Sequence, residues 1–359
     1  MKKLFYIIIL LAVAAPSFAG NPDRQGEAGA YELLMNPWAR SAGLHTMTTS
    51  NISGVEALRL NPAGLIRINK TELVIGHTRY MVGTDINLNS FGISQRLGKS
   101  GAFGVEIMAV DFGEIPITTE ALPEGTGATL SPSWFNLGIS YAHMFENKVS
   151  VGITFRAVSE STSDVSAFGF AIDAGVQYVT GPDDNVKFGI SLRNIGSPMT
   201  FRGEGISLQR PNPDSEGKYA LTYYTRSQDF ELPSVLNIGL AYDLWFKKGT
   251  DEVAFEKRKS SRLTFLANFT SNSFSQDQIG GGLEFGLHDM FFLRGGYKYE
   301  FGSNENEGVA APIYSGPCAG ATLQVPTSKN GKSTFAIDYA YRQTQIFDGT
   351  HNIAIRFNL

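Results

Sequence analysis

From residue 70 to the end of the chain, apolar and polar positions alternate with a period of two. In 351–359, HNIAIRFNL, the residues Ile353, Ile355, Phe357 and Leu359 share one face, and Asn352, Ala354, Arg356 and Asn358 share the other. A period of two belongs to a strand with one apolar and one polar side. The same pattern recurs in 133–145 (SWFNLGISYAHMF), 148–157 (KVSVGITFRA), 167–178 (AFGFAIDAGVQY) and 335–342 (FAIDYAYR). Fourteen strands are predicted, over 70–81, 84–97, 101–112, 133–145, 148–159, 167–179, 186–195, 234–245, 262–272, 278–287, 290–301, 317–326, 333–344 and 350–359. The second loses phase near Asn89-Ser90, where a bulge is expected.

An even number of strands, each about ten residues long, is the signature of an outer-membrane barrel. Connection lengths point the same way. Short turns at 98–101, 146–147, 180–185 and 287–289 alternate with longer connections at 113–132, 160–166, 196–233 and 302–316. Two connections break the rule: 82–83 is short on the expected external side, and 246–261 is long on the periplasmic side. The expected fold class is all-β: a transmembrane antiparallel β-barrel of about 14 strands, in a bacterial outer membrane, with both chain ends on the periplasmic side. A soluble sandwich or solenoid would have to bury its aromatic faces against each other. Here nearly every strand opposes a face of Phe, Tyr, Leu, Ile and Val to one of small and polar residues, which favours the barrel.

Composition refines this picture. Aromatic residues make up 12% of the chain and glycines number 39, which suits aromatic belts and a crowded inner wall. Residues 1–19 read as a secretory signal peptide: Lys2 and Lys3, an apolar stretch from Leu4 to Ala15, then Pro16-Ser17-Phe18-Ala19. No later apolar run reaches the length of a membrane-spanning helix. A single cysteine, Cys318, rules out an internal disulfide and a thiolate zinc cluster. The near-balanced net charge of −4 argues against nucleic acid as a partner. His45, His77, His143, His288 and His351 form no HExxH, and no serine sits in GxSxG. His288-Asp289 falls in a predicted turn, and Gly280-Gly281-Gly282 lacks the Lys-Ser/Thr of a phosphate loop. A non-enzymatic protein with no cofactor and no metal site is expected.

Strand parity directs Glu106, Asp173, Asp243, Glu284 and Asp338 into the lumen, together with Arg156, Arg193, Arg294, Arg342 and Arg356. Such charges could form a paired network packing a plugged interior, or a selectivity filter for a charged solute. The balance of acids and arginines favours the network. Residues 20–69 are too apolar for a free tail: Tyr31, Leu33, Leu34, Trp38, Leu44, Val55, Leu58 and Leu60 all need cover. The expected organisation is a signal peptide at 1–19, a hatch or plug at 20–69 and a barrel at 70–359. Asn61-Pro62-Ala63-Gly64 marks a sharp turn at the hatch exit, since Pro62 disfavours helix at Asn61 and Gly64 relaxes the backbone.

Glu32-Leu33-Leu34, Ala39-Arg40-x-Ala42-Gly43 and Asn61-Pro62-Ala63-Gly64-Leu65, ahead of fourteen strands, resemble the PorV/PorQ family of outer-membrane proteins, relatives of the FadL-type transporters. The resemblance covers the mature chain and departs at Leu44-His45-Thr46, where the family often has another glycine-rich step. It implies a hatch beside the inner wall and a role in type IX secretion. The partners it implies are outer-membrane lipid and secretion-system proteins or exported cargo. Loop 196–233, with Phe201, Tyr219, Tyr223, Tyr224 and Phe230, is the candidate partner-binding surface, because aromatics among charges compose binding hot spots. The same loops could instead fold over the barrel mouth. Passive uptake of a hydrophobic ligand is the alternative function.

Overall fold

A computed structural model gives the structure of the protein and describes residues 20–146, 148–212, 219–246, 261–302, 314–328, 333–345 and 347–359. The proposed signal peptide and most of the 246–261 connection lie outside these residues. Fourteen antiparallel strands form the wall: β1 Thr71–Arg79, β2 Asn87–Leu97, β3 Gly101–Asp111, β4 Ser133–Phe145, β5 Val149–Thr162, β6 Val165–Thr180, β7 Val186–Gly196, β8 Val235–Trp245, β9 Arg262–Asn272, β10 Gln278–Leu287, β11 Phe291–Glu300, β12 Gly316–Pro326, β13 Thr334–Arg342 and β14 Thr350–Asn358. Each pairs with its chain neighbours, and β14 returns to β1 in the register Glu72↔Asn358 to Arg79↔His351, which closes the barrel. Closure pairs both edges of the sheet, apart from an interruption between β6 and β7 near one rim. The strand bounds fall within three residues of those read from the alternation.

Outward side chains are left bare. Phe155, Phe168, Phe170 and Leu293 are 57%, 59%, 62% and 62% exposed, the opposite of what a water-facing surface would hold. No described helix is long and apolar enough to cross a membrane. The bulge expected at Asn89-Ser90 is absent, because β2 pairs with β1 and β3 without a shift. Leu88 is apolar yet faces inward against the hatch, while Asn89 faces outward and meets His77 Nδ1 at 2.9 Å. The break in pattern is thus an exchange of side-chain types at constant phase. A true bulge lies between β6 and β7, where Arg193 and Asn194 together stand opposite Asp173. Asn194 takes a left-handed φ of 61° there, and its N–H donates to the Asp173 carboxylate at 2.7 Å.

The hatch threads the height of the barrel. Gly20–Ala28 lie at the rim of the long loops. The Asn21 N–H donates to the Asn272 carbonyl at 3.3 Å, Ala28 bridges Glu231, and Arg24 pairs with Glu231 at 2.8 Å. The chain then descends through short helical turns at Tyr31–Leu33, Ala39–Ala42, Gly54–Glu56, Ala57–Leu60 and Pro62–Ile66. It enters β1 at the other rim, where the Leu359 N–H donates to the Thr71 carbonyl at 2.8 Å. Gly20 and Leu359 therefore occupy opposite rims. The expectation of both ends on one side is corrected for the described residues, because the hatch is a through-running segment and not a lead-in at the rim of β1.

Hatch and wall share one core. Trp38, Ala39 and Val55 pack with Val74 and Ala354, and Leu58, Leu65 and Ile66 pack with Ala102 and Ala142. The Val, Leu and Ile side chains among these each contribute roughly 1.5–3 kcal/mol when fully buried.

Candidate functional site

The turn at the hatch exit is built from its own residues and fitted to the wall. Asn61 is extended, and its Oδ1 accepts from the Ala63 N–H at 3.2 Å, capping the Pro62–Ile66 turn with Pro62 in the first position. Asn61 Nδ2 donates to the carbonyls of Thr49 at 2.8 Å and Val176 at 3.2 Å, tying two hatch segments to β6. Ala63 and Gly64 are buried, and a Cβ on Gly64 would strike the Ile52 carbonyl. The wall answers with inward glycines on adjacent strands. A Cβ on Gly152 would meet the Pro62 carbonyl, and one on Gly175 would meet the Asn61 amide.

All ten lumen charges read from parity are buried on the inner side. They fall into groups, two of which are joined where Arg294 Nη1 donates to the Thr322 hydroxyl at 2.6 Å and Thr322 donates to Asp338. At the centre, Arg156 binds Glu106 and reaches Asp173 at 3.1 Å, while hatch Arg59 lies 3.6 Å from Glu106. Asp243 accepts from Lys187 and from Thr264, each at 2.6 Å. Glu284 sits between Arg262 at 2.7 Å and Arg294 at 2.6 Å. Asp338 takes Arg356 at 3.2 Å and the Thr322 hydroxyl. Arg342 stands apart from the acids, with its guanidinium 4.2 Å from the Tyr314 ring centroid.

Several arginines spend their remaining donors on hatch carbonyls: Arg156 on Leu58 at 3.1 Å, Arg193 on Leu33 at 3.0 Å and Arg342 on Asn36 at 3.4 Å. Arg59 binds the carbonyls of Glu32 and Met35 at 3.1 and 3.0 Å. Charge-assisted bonds to the backbone hold the hatch whatever its side chains. Lys187, Arg262 and Arg59 were missed by the sequence reading. The first two occupy inward parity positions and could have been found, whereas Arg59 lies in irregular backbone with no period to read. Within the hatch, burial pushes the Glu32 carboxyl pKa up to about 9, and the neighbouring Glu160 adds to the shift.

The proposed partner-binding loop divides. Tyr219, Tyr223 and Tyr224 are exposed at 57%, 48% and 68% on a hairpin formed by Ser207–Pro211 and Ala220–Tyr224. Phe201 and Phe230 instead stack on each other at 5.3 Å and pack on a buried cluster of Ala30, Leu33, Val158, Ala167, Met199 and Leu232. Phe201 also lines an apolar groove of about 310 Å³ with Phe112, Pro132, Trp134 and Glu160. Phe112 and Trp134 meet edge to face at 4.7 Å. Beside the cluster the wall is incomplete. The β6–β7 ladder stops at Ala171↔Gly196 and resumes only at Ser166↔Arg202, with no pairing between Ala167–Phe170 and the chain from 197 to 201. The Met199 side chain covers Gly169 in that gap.

The fold matches solved structures. The fold is that of the FadL-type outer-membrane barrels. A Pseudomonas putida toluene transporter, TodX, aligns with 90% of this chain and 97% of its own at 14% identity and a TM-score of 0.53. A Pseudomonas aeruginosa FadL homologue aligns with 89% of this chain and 96% of its own at 11% identity and a TM-score of 0.50. No protein-family model and no curated protein matched the sequence. Nothing in these comparisons singles out the PorV/PorQ family. Among the described residues, no group of three or more His, Cys, Asp or Glu is placed to hold a metal.

Proposed function

We propose that the protein is a non-enzymatic barrel of a bacterial outer membrane that admits a hydrophobic small molecule. The long-loop rim faces outward and the rim carrying Leu359 faces the periplasm. One observation carries this reading: an apolar groove adjoins a packed apolar cluster at a gap in the wall. Phe201 joins the two, in an apolar track from the groove at Phe112 and Trp134 to Met199 and Leu232 beside the gap in the β6–β7 ladder. A hydrophobic ligand that displaced Met199 would reach that gap, and so the lipid, while the hatch stayed in place. The toluene transporter among the structural neighbours fits this chemistry. Uptake of a radiolabelled monoaromatic probe by cells with and without the gene is the test. Slower uptake in the deletion strain, and partial loss with Trp134→Ala, are expected. Equal uptake in both strains would remove the proposal.

A second reading keeps its own observation. The paired segments Ser207–Pro211 and Ala220–Tyr224 present Leu208, Tyr223 and Tyr224 to solvent, with Tyr219 exposed beside them. Such a surface suits an adaptor for exported cargo or other secretion-system proteins. Replacing 207–224 by a short turn should then abolish co-purification of partners in mild detergent, while uptake of the probe persists.

A further inference from the structure

The opposite rim holds a cavity of different chemistry. It measures about 420 Å³, lies between hatch residues 48–53 and strands β7 to β12, and is lined chiefly by polar and charged groups. Its volume falls within the range of small-molecule sites. Two of its acids are already committed: Asp243 to Lys187 and Thr264, and Glu284 to Arg262 and Arg294. Unused donors remain. Arg67 places Nε on Gln177 at 3.0 Å, and its Nη2 has no partner. Arg262 places Nη2 on Glu284, leaving Nε free, and the Trp245 indole N–H is also unmatched. The Arg262 guanidinium lies 5.7 Å from the Trp245 ring centroid, which fixes the two donors together. On the hatch side, the Thr48 and Ser50 hydroxyls are unmatched although only 4% and 1% of these residues is exposed.

We propose that this vestibule binds an oxyanion, a carboxylate or a phosphate, of a small periplasmic solute through Arg67, Arg262 and the Trp245 N–H. Guanidinium donors in a recess bind planar or tetrahedral oxyanions far better than they bind neutral groups. Asp184, exposed at the turn before β7, acts on Arg67 through space and opposes an arriving anion. With Asp183, which also lines the cavity, it tempers the affinity from the rim. The site is remote from the apolar track. Its periplasmic placement rests on the orientation proposed above, but its binding chemistry does not.

The test uses the mature full chain in detergent, titrated calorimetrically with inorganic phosphate and separately with succinate. Saturable binding of either probe is expected, and the tighter of the two tells a phosphate source from a carboxylate source. Arg67→Gln should weaken binding about tenfold or more. Asp184→Asn should tighten it severalfold, and being at an exposed turn it remains informative if Arg67→Gln does not fold. No saturable binding of either probe up to about 20 mM would overturn the proposal, because the binding free energy would then be smaller than two charge-assisted bonds supply. Affinity left unchanged by both variants would also overturn it.

Discussion

Single residues at the hatch exit carry more structure than their size suggests. Asn61 makes one accepting and two donating bonds in a fully buried position. Asn61→Ala should lower stability by about 1–3 kcal/mol, since the Ala63 N–H loses its acceptor and the Val176 and Thr49 carbonyls each lose a donor, Thr49 keeping Gln177 Nε2 at 3.2 Å. Asn61→Asp should cost more. It keeps the cap on Ala63 but turns both donors into a charge facing carbonyl oxygens. Thermal melting of the purified barrel ranks the two, and equal melting would show that the amide donors are idle. Glu32 gives a prediction in pH. Its native carboxyl holds its proton to about 9 against an ordinary value of 4.5, with Glu160 and Arg59 as the charged groups facing it. The native state thus binds more protons than the unfolded chain between those limits. Stability should fall as pH rises from about 4.5 to about 9 and level off above. Glu32→Gln should flatten that slope in a series of melts, and an undiminished slope would assign it to other groups. Asn61 was legible as a turn from the sequence. Its bond to the Val176 carbonyl on the wall was not, because it joins positions more than a hundred residues apart.

Strands were the legible elements, and for a physical reason. A wall strand must satisfy lipid on one side and a packed lumen on the other, so its period of two survives in nearly every segment. The hatch obeys no such rule. Its short helical turns are each set by tertiary contacts, and only their apolar content announced that they were buried. Parity did place the charges on the inner side, while which acid met which arginine depended on register across strands. The same limit hid the role of the inward glycines. Gly152 and Gly175 look like ordinary relief in the sequence but lie where the Asn61-Pro62 turn touches the wall. Gly175→Val should leave the barrel intact, because its ladder bonds are main-chain, yet expel the turn. Heat-modifiable migration of the barrel should persist while protease cuts the 50–66 segment. Ala174→Val, outward on the same strand, should do neither. A protected hatch in Gly175→Val would mean that the wall yields there instead.

At the level of the whole molecule, the question is whether the hatch moves. Wall arginines bind its backbone at Leu33, Asn36 and Leu58, and a shared core covers Trp38, Leu58 and Leu65. Withdrawing the hatch would leave several buried guanidinium groups short of partners at once, a loss of roughly 1.5–3 kcal/mol for each charge-assisted bond. The apolar track, by contrast, needs only Met199 and its neighbours to shift beside a gap already present in the ladder. Under the proposed uptake, a ligand would therefore pass around a fixed hatch. Ala39 and Ala354 lie in one buried cluster, on the hatch and on β14 respectively, and offer a clamp. In a Cys318→Ala background, Ala39→Cys with Ala354→Cys should form a hatch-to-wall disulfide on oxidation, seen as a shift in peptide mapping. Uptake of the monoaromatic probe should then be the same oxidised and reduced. Uptake abolished by oxidation and restored by reductant would show that the hatch itself must leave, and the β6–β7 gap would lose its role as the exit.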